Sequence, residues 1–128
     1  MIKAYLAGIS TQYEGEDIQI QYCIYDEQEL ICKNSVLLEY QKPAIVGQIA
    51  LLTLLNKMVK YTAKEIIIIV NDSAINQIIN ETTATKNEDV KKMARRINKK
   101  LSQFENVVIK DVSGDHKELV KWNDVLKT

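Results

Sequence analysis

The sequence of 128 residues has few of the side chains that build soft-metal centres: it contains one histidine and two cysteines. No other Cys or His lies at ligand spacing near Cys23 or Cys32, so composition nearly excludes an ordinary zinc site. We interpret both cysteines as small, reduced core residues, with one disulfide or half a metal site as the minority alternative.

Net charge and long apolar runs are also absent. The 17 Lys and Arg residues balance 17 Asp and Glu residues, so no whole-chain field attracts the protein to nucleic acid or to a membrane. No stretch approaches the roughly 20 apolar residues of a membrane span, and Met1–Tyr5 lacks the apolar run of a signal peptide. We therefore expect a cytoplasmic protein without a membrane partner. The sequence does not indicate its oligomeric state.

One globular domain over residues 1–128 is the simplest expectation, because the chain shows no repeat, linker or low-complexity segment. Hydrophobic residues make up 46% and charged residues 27% of the sequence, which is typical of a chain with a real core.

The most informative segment is Ile66–Val70, a run of β-branched residues followed by Asn71 and Asp72. Such a run predicts a strand that is buried on both faces. An acidic residue at the end of that strand lies at the carboxyl edge of a sheet, where open α/β folds place ligands and metals. Asp72 is therefore a candidate member of a carboxylate site.

Hydrophobic periodicity predicts the element order β-β-β-α-β-α-β-α. Three hairpin-connected strands come first, and two helix-linked strands follow, with right-handed crossovers. The expected elements are strands at Lys3–Ser10, Ile18–Tyr25 and Glu29–Glu39, a helix from Pro43 whose apolar stripe reaches Val59, a short helix or turn at Ser73–Asn80, an amphipathic helix from Asn87 or Glu88 with a stripe from Val90 to Phe104, a strand at Val107–Val112, and a helix at Lys117–Lys127.

This order, together with short motifs, resembles the ribonuclease H-like fold over nearly the whole chain. The motifs are the meander from Lys3 to Glu39, Gln48-Ile49-Ala50-Leu51, Val-Asn-Asp-Ser at 70–73, Val112-Ser113-Gly114, and Asn123-Asp124-Val125-Leu126. The resemblance implies an α/β domain with a mixed five-stranded sheet in the order 3-2-1-4-5 and helices on both faces.

The resemblance also implies a site. Nucleases of this family use carboxylates to hold two divalent metal ions that activate water and stabilise the leaving oxygen. The four carboxylate positions match Ala7, Gln48, Asp72 and Asp124, and the family's histidine matches His116 or Asp115. Two of the four positions are therefore neutral, which disfavours the binding of two dications. We expect no cofactor, with magnesium or manganese bound if the site is active.

Each retained residue also has an ordinary structural interpretation. Asp72 can cap the turn after its strand, Asp124 can be an exposed carboxylate of an amphipathic helix, and His116 can be a loop residue without a catalytic role.

A basic run on the second predicted long helix is the candidate for nucleic-acid binding. Clustered Lys and Arg side chains neutralise backbone phosphates without reading sequence, although a solvated helix face has the same composition. Its members are Lys91, Lys92, Arg95, Arg96, Lys99 and Lys100.

Three hypotheses follow. The first is a ribonuclease H-like domain without nuclease activity that binds nucleic acid, either RNA–DNA hybrid or duplex, or a protein partner. The second is a metal-dependent ribonuclease H-type endonuclease with an altered ligand set of Asp72, Asp124 and His116. The third is a small protein-interaction module.

Overall fold

Five strands form one mixed sheet in the order β3-β2-β1-β4-β5. The computed structural model describes residues 1–9, 17–39, 43–72, 75 and 88–127. The strand order and the mixed α/β architecture confirm the predicted fold. The elements are β1 (Ile2–Ile9), β2 (Ile18–Asp26), β3 (Glu29–Leu38), α1 (Pro43–Lys57), β4 (Glu65–Val70), α2 (Glu88–Leu101), β5 (Asn106–Asp111) and α3 (His116–Lys127).

The Ile-rich strand β4 lies inside the sheet, as its composition predicts. It pairs in parallel with β1, where Ile68 is opposite Ala4, and in parallel with β5 on its other side. Ile66, Ile68 and Val70 are buried, which stabilises the fold by about 1.5–3 kcal/mol for each side chain. Because β1, β4 and β5 run in one direction, their carboxyl ends meet along one side of the sheet, which we call the carboxyl edge.

Helices cover both faces of the sheet. On one face, α1 packs Leu51, Leu54 and Leu55 into the larger core cluster, and α2 packs against α1 through Val90 and Met93. On the other face, α3 packs against β1 and β2, where Leu126 belongs to a second buried cluster. None of the helices in the described ranges is long and apolar enough to cross a membrane.

Several element ends differ from the sequence-based expectation. The stripe of α1 does not reach Val59, because the helix ends at Lys57 and Val59 is 45% exposed at the start of a short 3-10 helix, Val59–Tyr61. Phe104 is buried but follows the end of α2. The final helix begins one residue earlier than expected, at His116. The element expected at Ser73–Asn80 lies outside the described residues, apart from Ile75.

Both cysteines are free, as the sequence predicts. Cys23 is buried on the α3 face, where its thiol donates a hydrogen bond to the carbonyl oxygen of Val125 at 3.6 Å. Burial raises the pKa of the Cys23 thiol above its ordinary value, so the group is neutral at pH 7. Cys32 is half-buried on β3. The two side chains therefore have core roles.

Candidate functional site at the carboxyl edge

A cavity of about 550 Å³ lies at the carboxyl edge, between the amino-terminal half of α1 and the carboxyl-terminal half of α3. Clefts of this size at the carboxyl ends of parallel strands are the usual ligand sites of α/β folds. Its lining consists of Leu6, Ala7, Gly8, Gln21, Val46, Gly47, Ala50, Val70, Asn71, Asp72, Ile75, Trp122, Asn123, Leu126 and Lys127.

Asp72 lies two residues after the end of β4 at Val70, and it lines this cavity. Its backbone N–H donates a hydrogen bond to Oδ1 of Asp111 at 3.1 Å, which holds the segment after β4 against the end of β5. Its side chain lies against α1, where Oδ2 takes the space that a Cβ atom at position 47 would occupy. Gly47 therefore lets the Asp72 carboxylate approach the helix backbone.

Asp111 holds the carboxyl ends of β4 and β5 together. Besides the Asp72 N–H, its Oδ1 accepts the Ser113 N–H at 2.9 Å, and its Oδ2 accepts the Ser113 hydroxyl at 2.7 Å. Asp111 is not among the residues that the sequence predicts for a site. The available signal was an Asp followed two positions later by Ser, a pattern in which the side chain bonds to nearby backbone groups.

Trp122 fixes α3 against β1 beside the cavity. Its indole N–H donates a hydrogen bond to the carbonyl oxygen of Leu6 at 3.0 Å. Leu6 is the last residue of β1 that pairs with β4, so the bond lies at the point where the parallel ladder ends. The half-buried indole ring forms one wall of the cavity.

The residues matched by the resemblance are only partly brought together. Ala7 and Asp72 line the cavity. On α1 the lining residue is Gly47, which precedes the matched Gln48, and on α3 it is Asn123, which precedes the matched Asp124. One residue on a helix corresponds to a rotation of about 100°, which is enough to turn a side chain away from the cavity.

The remaining matched residues are not among the lining residues of the cavity. The Gln48 side chain is 2% exposed, and its Nε2 has no hydrogen-bond partner within the described ranges. Asp124 is exposed. His116 is exposed at the first position of α3, and Asp115 precedes that helix, where its Oδ1 accepts the Glu118 N–H at 3.3 Å. Asp115 therefore caps the helix.

The formal charges of the described lining residues balance. Among the described residues of its lining, Asp72 is the one carboxylate and Lys127 the one ammonium group. Gln21, Asn71 and Asn123 add neutral amides. Across the described part of the chain, no group of three or more His, Cys, Asp or Glu side chains has the arrangement of a metal site. This donor set does not fit a pair of divalent ions, which require several hard anionic oxygens.

The basic run of the sequence lies on α2, on the side away from α1. Lys92, Arg95, Arg96 and Lys99 are exposed, whereas Lys91 and Lys100 are half-buried. Lys91 lies 3.6 Å from the Glu88 carboxylate. We call the exposed side chains of Lys92, Arg95, Arg96 and Lys99 the α2 ridge. Glu88 and Asp89 occupy the first turn of the helix, so the positive charge is concentrated toward its carboxyl-terminal end.

The strand order, the helices on both faces and the cavity at the carboxyl edge define a ribonuclease H-like domain, and solved structures agree. The chain is similar to the ribonuclease H1 of the archaeon Halobacterium salinarum NRC-1, with a TM-score of 0.78 and 14% identity over 98% of this chain and 92% of that one. It is similar to LC11 ribonuclease H1 in complex with RNA/DNA hybrid, with a TM-score of 0.76 and 16% identity over 91% and 88%. The N-terminal ribonuclease H domain of a Mycobacterium tuberculosis protein matches with a TM-score of 0.75 and 13% identity over 98% and 94%.

The family follows from a sequence match. The model of the reverse transcriptase-like family matches residues 21–122, which is most of the chain. The chain therefore belongs to that family. No curated protein sequence matches it significantly.

Proposed function

We propose that this ribonuclease H-like domain binds nucleic acid without cleaving it. The observation that supports the proposal is the cavity, where Asp72 is the one carboxylate among the described lining residues and Lys127 cancels its charge. Two divalent cations bring four positive charges close together, and a two-metal site binds them with several carboxylates. A neutral cavity provides no such compensation.

Nucleic-acid binding is supported by the α2 ridge. Exposed Lys and Arg side chains gain free energy from the release of counterions that surround the phosphate backbone. The similar LC11 enzyme forms a complex with RNA/DNA hybrid, and we propose hybrid or duplex as the partner of this chain. Glu88 and Asp89 reduce the field at one end of the ridge, so we expect weak, sequence-independent binding.

The first experiment tests cleavage. A labelled RNA–DNA hybrid should remain intact in magnesium or manganese, because Asp72 is the one carboxylate among the described lining residues and two ions need several. Turnover that disappears in Asp72→Asn would overturn the proposal and support the altered-ligand nuclease.

A matched pair of variants tests the geometry of the cavity. Ala7→Asp with Asn123→Asp should introduce two carboxylates into the lining of the cavity that holds Asp72 and create measurable manganese binding in calorimetry. Ala7→Asp with Gln48→Glu adds the same charge, but position 48 does not line the cavity, so its gain should be smaller. Equal gains would show that the position of the second added carboxylate has no effect.

The second experiment tests binding through the α2 ridge. Affinity for hybrid and duplex is measured at two salt concentrations with and without Arg95→Glu and Lys99→Glu. Each lost phosphate contact should flatten the slope of log affinity against log salt by about 1. Lys110→Glu and Lys117→Glu are matched controls, since both lysines are exposed on β5 and at the start of α3. No binding to any nucleic acid at low salt would contradict the proposal and favour the protein-interaction module.

A further inference from the structure

Strand β3 forms one edge of the sheet and is largely exposed. It pairs with β2 on one side, and β2 is the one described element with which it has extensive contacts. Leu37 is 69% exposed, and toward the other end of the strand Leu30 and Ile31 are 47% and 40% exposed. Unpaired backbone groups and exposed apolar side chains on an edge strand allow another strand to add to the sheet. β3 is therefore a surface at which the sheet can be extended.

The hydrogen bonds of Ser35 show which backbone groups of β3 face outward. Its N–H donates to Oδ1 of the adjacent Asn34 at 2.8 Å, while the Asn34 amide nitrogen donates to the Tyr22 hydroxyl of β2 at 3.4 Å. In an antiparallel ladder, the backbone groups of successive residues point alternately toward and away from the paired strand. Because the Ser35 N–H bonds within its own strand, it points away from β2. By the same alternation Leu37 directs its backbone groups outward, and Val36 directs its groups to β2.

The apolar and polar residues of β3 are arranged symmetrically about Asn34. The segment Leu30-Ile31-Cys32 precedes three polar residues, and the segment Val36-Leu37-Leu38 follows them. Two identical strands that pair antiparallel about a two-fold axis through Asn34 bring the first apolar segment of each copy opposite the second apolar segment of the other. This symmetry makes a second copy of the chain the partner that β3 fits.

The exposed apolar side chains define the register of this pairing. With the axis through Asn34, Ile31 of one copy lies opposite Leu37 of the other, and the axis repeats the contact. Moving the axis by one residue places Leu37 opposite Glu29 in one direction and Ile31 opposite Glu39 in the other. In both shifted registers a carboxylate loses water to an apolar partner, which is unfavourable. The register about Asn34 is therefore the favoured one.

The size of the contact predicts a transient dimer. The ladder of β3 with β2 is irregular between Leu30 and Cys32, which confines the new pairing to residues 31–37. Seven residues span about 24 Å, and a sheet about 10 Å thick then buries roughly 500 Å² over the two copies. Stable interfaces bury at least about 1,200 Å². We therefore expect association at high protein concentration.

We propose that two copies of this chain associate edge to edge through β3, antiparallel about Asn34, so that their two five-stranded sheets become one continuous sheet. The dimer is independent of the proposed function, because no residue of β3 belongs to the α2 ridge or lines the cavity that holds Asp72. Both of these surfaces stay open in it.

A disulfide tests the register. Cys32 of one copy lies opposite position 36 of the other in a pair without backbone hydrogen bonds, where Cα atoms are about 4.5 Å apart and a disulfide fits. Val36→Cys should therefore form covalent dimers with the native Cys32 in oxidised glutathione, seen on a non-reducing gel. Within one chain the two positions are about 13 Å apart along the strand, so they cannot bridge.

The matched control for the disulfide is Leu38→Cys, which moves the new thiol two residues along the same face. Position 38 is then diagonal to Cys32 of the other copy, about 7–8 Å away, which is too far for a disulfide. Its yield of covalent dimer should be at least tenfold lower than that of Val36→Cys. Equal yields would overturn the register. Circular dichroism checks that both variants are folded.

Sedimentation equilibrium tests the dimer itself under reducing conditions. The full chain should shift from monomer to dimer as its concentration rises toward about 1 mM, the range of weak complexes. Leu37→Lys should raise the dissociation constant about tenfold or more, because two apolar contacts are lost and lysine blocks an edge strand. Val108→Lys makes the same change on β5, at the opposite edge of the sheet, where Val108 is 53% exposed. It should leave the dissociation constant unchanged.

Two results would overturn the proposal. One is a chain that stays monomeric at about 1 mM and gives no covalent dimer with Val36→Cys. The other is a dimer that Val108→Lys weakens and Leu37→Lys does not, because the copies would then associate through β5.

Discussion

Gly47 offers a direct test of how Asp72 sits in the cavity. In a helix interior, Ala is more favourable than Gly by about 1 kcal/mol, so Gly47→Ala alone would be expected to stabilise α1. The new Cβ atom, however, would overlap Oδ2 of Asp72 and come within 3.4 Å of the Ile75 side chain. The Asp72 carboxylate must then leave its place against the helix, which offsets much of the gain.

A double-mutant cycle separates the two effects. In the Asp72→Ala background the obstructing oxygen is gone, so Gly47→Ala should recover its full gain of about 1 kcal/mol. We therefore expect a coupling energy of roughly 0.5–1.5 kcal/mol between the two positions, within the range usual for residues in contact. Urea denaturation followed by circular dichroism measures it, because a slope of about 2 kcal/mol/M turns 1 kcal/mol into a midpoint shift of about 0.5 M.

Asn56→Ala is the matched control for helix propensity. Asn56 is exposed near the end of α1, and the substitution should stabilise by roughly 0.5 kcal/mol. Its effect should add to that of Asp72→Ala without coupling, since the two sites are well separated. The reasoning would be refuted if Gly47→Ala stabilised the protein equally in both backgrounds, because the carboxylate would then not lie against the helix.

Three further predictions concern pH, α3 and the sheet edge. Burial raises the pKa of the Cys23 thiol above 9.0, so the contribution of the buried thiol to stability is complete below about pH 9 and is lost as pH rises through the folded-state pKa. Above that pH, the free energy of unfolding should fall less steeply with pH in Cys23→Ala than in the unaltered protein, and equal slopes in the two proteins would contradict this. Trp122→Phe should cost about 1 kcal/mol, measured by circular dichroism, because the Leu6 carbonyl loses its indole donor; an unchanged midpoint would show that water replaces the bond. Asp111→Ala should lower the free energy of unfolding by about 2 kcal/mol, since two backbone N–H groups lose a charged acceptor. Asp111→Asn should lower it less, and equal losses would mean that the amide oxygen does not accept these hydrogen bonds.

Much of the fold could be read from local patterns. The β-branched run at 66–70 predicts a doubly buried strand because only such a strand hides every side chain of the run. The position of Asp72 at the carboxyl edge follows from the same run, and the structure places it in the cavity. The alternation from Ile18 predicts β2, and helical spacing predicts α2.

The residues that complete the cavity could not be read in this way. The resemblance assigns Gln48 and Asp124, whereas Gly47 and Asn123 line the cavity. Adjacent residues of a helix differ in direction by about 100°. Packing of α1 against β1 turns Gly47 toward the cavity, and packing of α3 turns Asn123 toward it. No periodicity distinguishes these residues from Gln48 and Asp124.

The sequence by itself determined the order of the elements, the strand that lies inside the sheet and the two faces of α2, because each depends on the side chains of one segment. Tertiary structure alone decided the bond from Trp122 to Leu6, which are 116 residues apart, and the clamp of Asp111 on the Asp72 N–H. It also decided that Lys127 lines one cavity with Asp72. These contacts join segments whose separation is set by the sheet register and the crossing of α3, and no local pattern encodes either.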